Sequence, residues 1–286
     1  MTRHSFQHDG VELSYYETGR GETGRGETGS GAPLVLIHGF PLDHTMWKAQ
    51  IDALRGTCHV IAPDLRGFGQ STLAAGDAEH GVDMQRYAAD VGAVLDETGV
   101  SKPAILCGFS MGGYVLWQFV REFPERVRAI VLCDTKATAD SDDARALRLS
   151  GAEEVLLSGA GPIAESMLPK LLAPATLANH PDVADEVDAM ICRTAPEAIA
   201  AALRGMARRP DVRASLPGIQ VPALVLVGAE DAISPPQEMR EIAAALPQAA
   251  FVEVPTAGHM SPMENPAAVN DALVRFVAGL GDEPAR

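Results

Sequence analysis

Positive charge is in short supply: 23 Lys and Arg stand against 38 Asp and Glu, a formal net charge of -15 over 286 residues. Such a chain repels phosphate backbones and anionic lipid surfaces, so neither nucleic acid nor a membrane is an expected partner. Cysteine is scarce as well. Cys58, Cys107, Cys133 and Cys192 are widely spaced and form no C-x-x-C pair, which argues against a zinc site and against a disulfide framework. Cys107 and Cys133 lie inside apolar runs, and all four are expected to be reduced core residues of a cytoplasmic protein. The opening MTRHSFQHDG lacks the apolar run of a signal peptide, and no uninterrupted apolar stretch reaches the roughly 18 residues of a membrane span. There is no H-E-x-x-H or similar ligand cluster, and the spread of His4, His8, His80 and His180 reads as surface, so no metal is expected.

What is present is enough apolar sequence, 47% of the chain, to build one large α/β domain carrying an insertion. An early oddity is ETGRGETGRGETGSG at 17–31, a five-residue unit written three times that contains G-x-G-x-x-G at Gly19, Gly21 and Gly24. A dinucleotide site needs that motif to open a helix whose amides meet the pyrophosphate. Here it runs straight into the strand-like APLVLIHG, so it is read as an expanded loop between two strands, and no cofactor is expected.

Short apolar runs alternate with longer helical patterns: LVLIH (34–38), VIAPD (60–64), AILCG (104–108), AIVLCD (129–134) and ALVLVG (223–228), and the last alternation ends with FVEVP (251–255). Runs that are apolar throughout, separated by helical patterns, imply a mostly parallel sheet covered on both faces. Met84, Ala88, Val91 and Leu95 mark one covering helix, GGYVLWQFVREF a buried central one that stops before Pro124, and Val269, Leu273, Phe276 and Val277 a last one. The predicted fold is doubly wound α/β, with residues 1–135 and 216–286 as the core. Residues 136–215 break the alternation. They hold helical patterns at Ala164, Met167, Leu168 and Leu171, at Val183, Val187 and Met190, and at Ile199, Leu203 and Met206, but no convincing strand. A helical insertion sits outside the sheet, and its natural place is over the carboxyl ends of the strands as a cap.

Ser110 stands in CGFSMGGY between Gly108 and Gly112, after the run AILCG and before the buried helix. The spacing G-x-S-x-G in a strand-to-helix turn lifts a serine hydroxyl out of the sheet, above a helix N-terminus that favours an anion. Taken alone, the motif favours a nucleophile, and a small residue tolerated in a Gly-rich turn is the alternative. A nucleophilic serine needs a base and the base needs an orienting carboxylate. His259, in VPTAGHMSPMENP, falls after the last strand, and Asp231, in LVLVGAEDAISPP, after the one before it. The chain order is therefore Ser, Asp, His.

These residues together resemble the α/β-hydrolase superfamily, and the resemblance spans nearly the whole chain. HGFP (38–41) is similar to its HG-x-P turn, DLRGFGQS (64–71) to its D-x-R-G-x-G-x-S turn, GFSMGG to its nucleophile elbow and AGHMSPMENP to its histidine loop. The resemblance implies an oxyanion hole made by the backbone N-H groups of Phe40 and Met111. It makes Asp64, Arg66, Gly67 and Gly69 the shapers of a neighbouring turn. Some members place the triad acid one strand earlier, which makes Asp134 the rival to Asp231; the AEDAISPP context favours Asp231 over both Asp134 and Glu230. His38 is read as structural, and His44 with Asp43 as a pair at the entrance.

Ser110 rather than aspartate at the elbow implies acyl transfer, through hydrolysis of a small carboxylic ester or lactone. The elbow and the segment AALRGMARRPD are similar to the 3-oxoadipate enol-lactonase-like and carboxylesterase group, whereas Pro41 resembles the cofactor-free haloperoxidase and perhydrolase group. A triad-retaining small-molecule receptor is a third reading. Lys170, Arg193, Arg204 and Arg208 are candidate anchors for a substrate carboxylate, or solvated helix faces. Trp47, Met111, Met167, Met190 and Met206 are candidates to line an acyl pocket, or plain core.

Overall fold

The computed structural model of the chain describes residues 1–18 and 31–281. The repeat with Gly19, Gly21 and Gly24 lies outside the described residues apart from its first two and its last. What flanks it is β2 (Val11–Thr18) on one side and β3 (Ala32–Ile37) on the other. The remaining strands are β1 (Thr2–His8), β4 (Cys58–Pro63), β5 (Ala104–Phe109), β6 (Val127–Cys133), β7 (Ala223–Gly228) and β8 (Ala249–Val254). All eight form one sheet in the order β1-β2-β4-β3-β5-β6-β7-β8. The pairings β1/β2 and β2/β4 are antiparallel and the other five are parallel.

Every residue of β4, β5 and β7 is buried, which is why these strands read as unbroken apolar runs rather than alternating ones. The period of two still operates, because it sends neighbours to opposite faces. Val35 and Ile37 join Leu106, Leu132 and Val225 in one hydrophobic cluster, while Leu34 and Leu36 join Ile105, Val131 and Leu224 in the other. The helices Met84–Glu97, Met111–Glu122 and Pro236–Ala245 cover the first face; Lys48–Leu54 and Pro266–Gly279 cover the second. Full burial of such a side chain contributes about 1.5–3 kcal/mol, so the sheet is held from both sides.

The chain starts β3 in the middle, adds β4 to one side and then crosses to β5 on the other. The loops after β3 and β5 therefore diverge around a crevice, the place where doubly wound sheets take ligands. Between β6 and β7 come the helices Asp142–Ser158, Gly161–Leu171, Pro174–Asn179, Pro181–Arg193 and Pro196–Met206, with no strand among them. The first of these escapes a periodicity search for a physical reason. Only Ala152 and Val155 of it are buried, while Leu147, Leu149, Leu156 and Leu157 are exposed around its circumference. Three cysteines are buried as expected, but Cys192 is exposed near the end of Pro181–Arg193 and is not a core residue. Among the described residues no helix is long and apolar enough to cross a membrane.

Candidate active site

Ser110 separates the last residue of β5 from the first residue of the helix Met111–Glu122, with φ 50° and ψ -113°. A positive φ costs a non-glycine residue on the order of 1–3 kcal/mol and persists only where its surroundings impose it. Here they do. The Ser110 amide donates to the Cys133 carbonyl at 2.9 Å, and its own carbonyl accepts from the Thr135 hydroxyl at 2.7 Å and the Gly113 amide at 2.9 Å. The flanking glycines are required by close approach. A Cβ on Gly108 would lie 2.5 Å from the Gly112 carbonyl oxygen, and one on Gly112 would lie 2.3 Å from that of Ile37.

Ser110, Asp231 and His259, far apart in sequence, come together in one hydrogen-bonded chain. The Ser110 hydroxyl lies 2.9 Å from His259 Nε2, and His259 Nδ1 lies 2.8 Å from Asp231 Oδ2. The carboxylate fixes the tautomer by accepting at Nδ1, which leaves Nε2 free to accept from the serine. The second Asp231 oxygen accepts from the amides of Ile233 at 2.7 Å and Ser234 at 2.9 Å. Both Asp231 and His259 are buried, and the Phe109 ring lies 5.2 Å from the imidazole. Glu230 is exposed.

Asp134 is equally buried but differently used. Its Oδ1 accepts from the Gly228 amide at 2.7 Å, and its Oδ2 meets the Ser261 hydroxyl in a short contact and the Cys133 thiol at 3.3 Å. Burial, reinforced by the neighbouring Asp231 carboxylate, pushes the Asp134 carboxyl well above the usual range. It makes no hydrogen bond to His259 among those observed.

The loop after β3 carries Phe40, half-buried, followed by Pro41 and Leu42, whose amide bonds the Gly39 carbonyl at 3.0 Å. Met111 opens the elbow helix, where the first amides have no acceptor within the helix. Residues 32–266 match the family described as alpha/beta hydrolase fold. The chain belongs to that family. This alpha/beta hydrolase is 27% identical over 240 residues to 3-oxoadipate enol-lactonase 2 of Acinetobacter baylyi, covering 84% of the chain and 86% of the relative. Its structure superposes on that of a thermophilic esterase from Thermogutta terrifontis with a TM-score of 0.90, at 41% identity and over 98% and 99% of the two chains. The enol-lactonase from Burkholderia xenovorans gives a TM-score of 0.85 at 27% identity, over 96% and 99%.

Other residues of the alpha/beta hydrolase singled out by sequence fall into place around this centre. His38 is buried and structural: its Nε2 accepts from the Leu65 amide at 2.9 Å and its Nδ1 donates to the Gly39 carbonyl at 2.9 Å, while burial lowers its pKa. Asp64 accepts from the Gln70 amide at 2.9 Å, Arg66 forks onto Asp90 at 2.7 and 2.8 Å, and a Cβ on Gly69 would strike the Asp64 carboxylate. The expected pairing of His44 with Asp43 does not occur. His44 Nδ1 instead bonds Asp64 at 2.7 Å and its ring stacks on Tyr16, while Asp43 accepts from Thr45 and from Arg193. Burial opposes ionisation of Asp43, but the Thr45 hydroxyl and amide and then Arg193 hold its carboxyl below the usual range.

Arg193, a candidate substrate anchor, thus spends its guanidinium on Asp43 at 2.7 Å and on the Thr45 hydroxyl at 2.7 Å. Arg204 is likewise occupied, by the Ala78 carbonyl at 2.5 Å and Glu153 at 2.6 Å, whereas Lys170 and Arg208 are exposed. Trp47, Met111, Met190 and Met206 are sealed within the two hydrophobic clusters, and Met167 is partly buried against one. Two groups, Asp43 with His44 and Asp64, and Asp134 with Asp231 and His259, bring ligand-type atoms within 4.8 Å of one another. Holding an ion in either would break the hydrogen bonds just described.

Proposed function

We propose that the protein is a serine hydrolase that cleaves a small carboxylic ester or lactone through an acyl-enzyme. The observation that carries this reading is the unbroken hydrogen-bond chain from the Ser110 hydroxyl through His259 to the buried Asp231. As the hydroxyl attacks the substrate carbonyl, its proton passes to His259 Nε2, and the imidazolium is stabilised by Asp231. The tetrahedral oxyanion is received by the amides of Phe40 and Met111, where losing one donor typically costs about 10²–10³ in rate. His259 then gives the proton to the leaving alcohol, and the same steps with water in place of the alcohol release the acid and restore Ser110.

The enol-lactonase and esterase names of the similar proteins support the choice of ester or lactone as substrate class. Residues 1–135 and 216–286 are the catalytic core in this reading, and residues 136–215 a helical cap over it. The unpaired thiols fit a cytoplasmic setting.

The test is covalent. A fluorophosphonate should inactivate the enzyme stoichiometrically, with a single adduct mapped to Ser110 by mass spectrometry. Ester turnover that survives full exposure to the probe, or an adduct on another residue, overturns the reading. A panel of esters and lactones of increasing acyl length, run beside peracid formation from acetate and peroxide, then separates esterase, lactonase and perhydrolase. Tight ligand binding with no turnover of any substrate would mark a receptor.

A further inference from the structure

The histidine loop rests on the helical segment as well as on the sheet. The Met260 amide, next to His259, donates to the Leu171 carbonyl at 3.0 Å. On its other side Gly258 is pressed so closely that a Cβ there would lie 2.7 Å from the Ala173 nitrogen. One carboxylate joins the two segments. Glu264 Oε1 accepts from the Gly258 amide at 2.8 Å, while Oε2 accepts from the Ala173 amide at 2.7 Å and the Thr176 hydroxyl at 2.6 Å. Three donors, two of them 91 and 88 residues before Glu264 in sequence and the third 6 residues before it, converge on the two oxygens of a half-buried side chain.

We propose that Glu264 is a positioning residue: it locks the loop bearing His259 to the helical segment at Ala173 and Thr176, so that the placement of the imidazole depends on that segment being docked. This rests on the reading of His259 as the general base. All three partners are donors. An amide at position 264 presents a donor of its own and must forfeit one side of the bridge, even though its shape is the same. Burial pushes the Glu264 carboxyl above the usual range, against the pull of the Thr176 hydroxyl and of the Ala173, Gly258 and Met260 amides.

The test combines Glu264→Gln, Thr176→Val and the double variant, each checked for folding by near-UV circular dichroism. Misplacement of a catalytic group costs up to about 10²-fold, so Glu264→Gln should lose about 10²-fold in kcat with KM changed less than about threefold. Thr176→Val, which removes one of three donors, should lose about tenfold in kcat. The double variant should be no worse than Glu264→Gln alone, because both cut one bridge. The downfield proton resonance of the His259–Asp231 hydrogen bond should shift or broaden in all three. If Glu264→Gln does not fold, Thr176→Val carries the same test by itself. Full kcat in Glu264→Gln, an unmoved His259 resonance, a silent Thr176→Val, or multiplicative losses in the double variant would each overturn the proposal. The resonance needs no turnover, so it judges this inference separately from whether Ser110 is the nucleophile, which Ser110→Ala decides.

Discussion

The strand ends and the helices between β6 and β7 reach the candidate site by different means. On the sheet side, position is written in backbone. Ser110 is held in its strained turn by two main-chain hydrogen bonds and by the Thr135 hydroxyl, the Asp231 carboxylate is oriented by two backbone amides, and the loops after β3 and β5 are spaced by paired strands in the register Ile37–Gly108. On the helical side, position hangs mostly on single side chains. Arg193 reaches Asp43 and Thr45, the Thr194 hydroxyl donates to the Pro41 carbonyl at 2.9 Å, and the Thr176 hydroxyl meets Glu264. A main-chain bond survives any substitution but proline, whereas a side-chain bond is lost with its residue. The difference teaches that the residues of the candidate site are placed by a framework hard to disturb one residue at a time, while the helices meet it through bonds that can be removed singly.

The contrast makes a graded set of predictions. Ser110→Ala should lower kcat by on the order of 10⁶ with an unchanged Tm, measured on a p-nitrophenyl ester. Asp231→Asn should cost about 10⁴ in kcat through the wrong imidazole tautomer, whereas Asp134→Asn should stay within about tenfold of the parent. A reversed order in that pair would move the orienting carboxylate to the earlier strand. Thr194→Val, which releases the carbonyl next to Phe40, should cost only a few-fold, about 1 kcal/mol. A loss of about 10³ or more there would erase the distinction between the two sides.

The smallest effect concerns stability against pH. Asp134 has its folded pKa raised by burial and by Asp231, so its contribution is intact below the unfolded value and is lost as pH rises through the folded one. Asparagine mimics the protonated acid, so Asp134→Asn should gain Tm over the parent on going from acid to neutral pH. A constant difference in Tm across that range would remove the titration from the account.

Much of this architecture could be read from the chain because it is written in local patterns. Strands β3 to β7 are buried on both faces and therefore appear as solid apolar runs, and the glycines at 108 and 112 report a turn that admits no side chain. The order Ser110, Asp231, His259 was legible because Ser110 directly follows β5 and the other two lie in the loops after β7 and β8. Partners across long separations were not. Nothing near Asp43 says that it turns to Arg193, 150 residues on, and leaves His44 to Asp64. Glu264 stood in plain view in the motif around His259, yet its significance lies in donors 88 and 91 residues earlier. The helix Asp142–Ser158 hid for the opposite reason, since leucines left on its solvent side blur the period by which a packed helix is recognised.

Cys192 has a practical consequence. It is the one exposed thiol of the four, beside Arg193, while the other three are sealed in the core. A maleimide dye would therefore attach at a single native position without any cysteine being engineered in or out. Partial desolvation, and then the nearby Asp188 carboxylate, raises the thiol's pKa, so labelling would favour mildly alkaline buffer. A fluorophore at that point is next in sequence to Arg193, which bonds Asp43 and Thr45 in the loop after β3, and its emission would report in real time on changes in that neighbourhood when an ester is added.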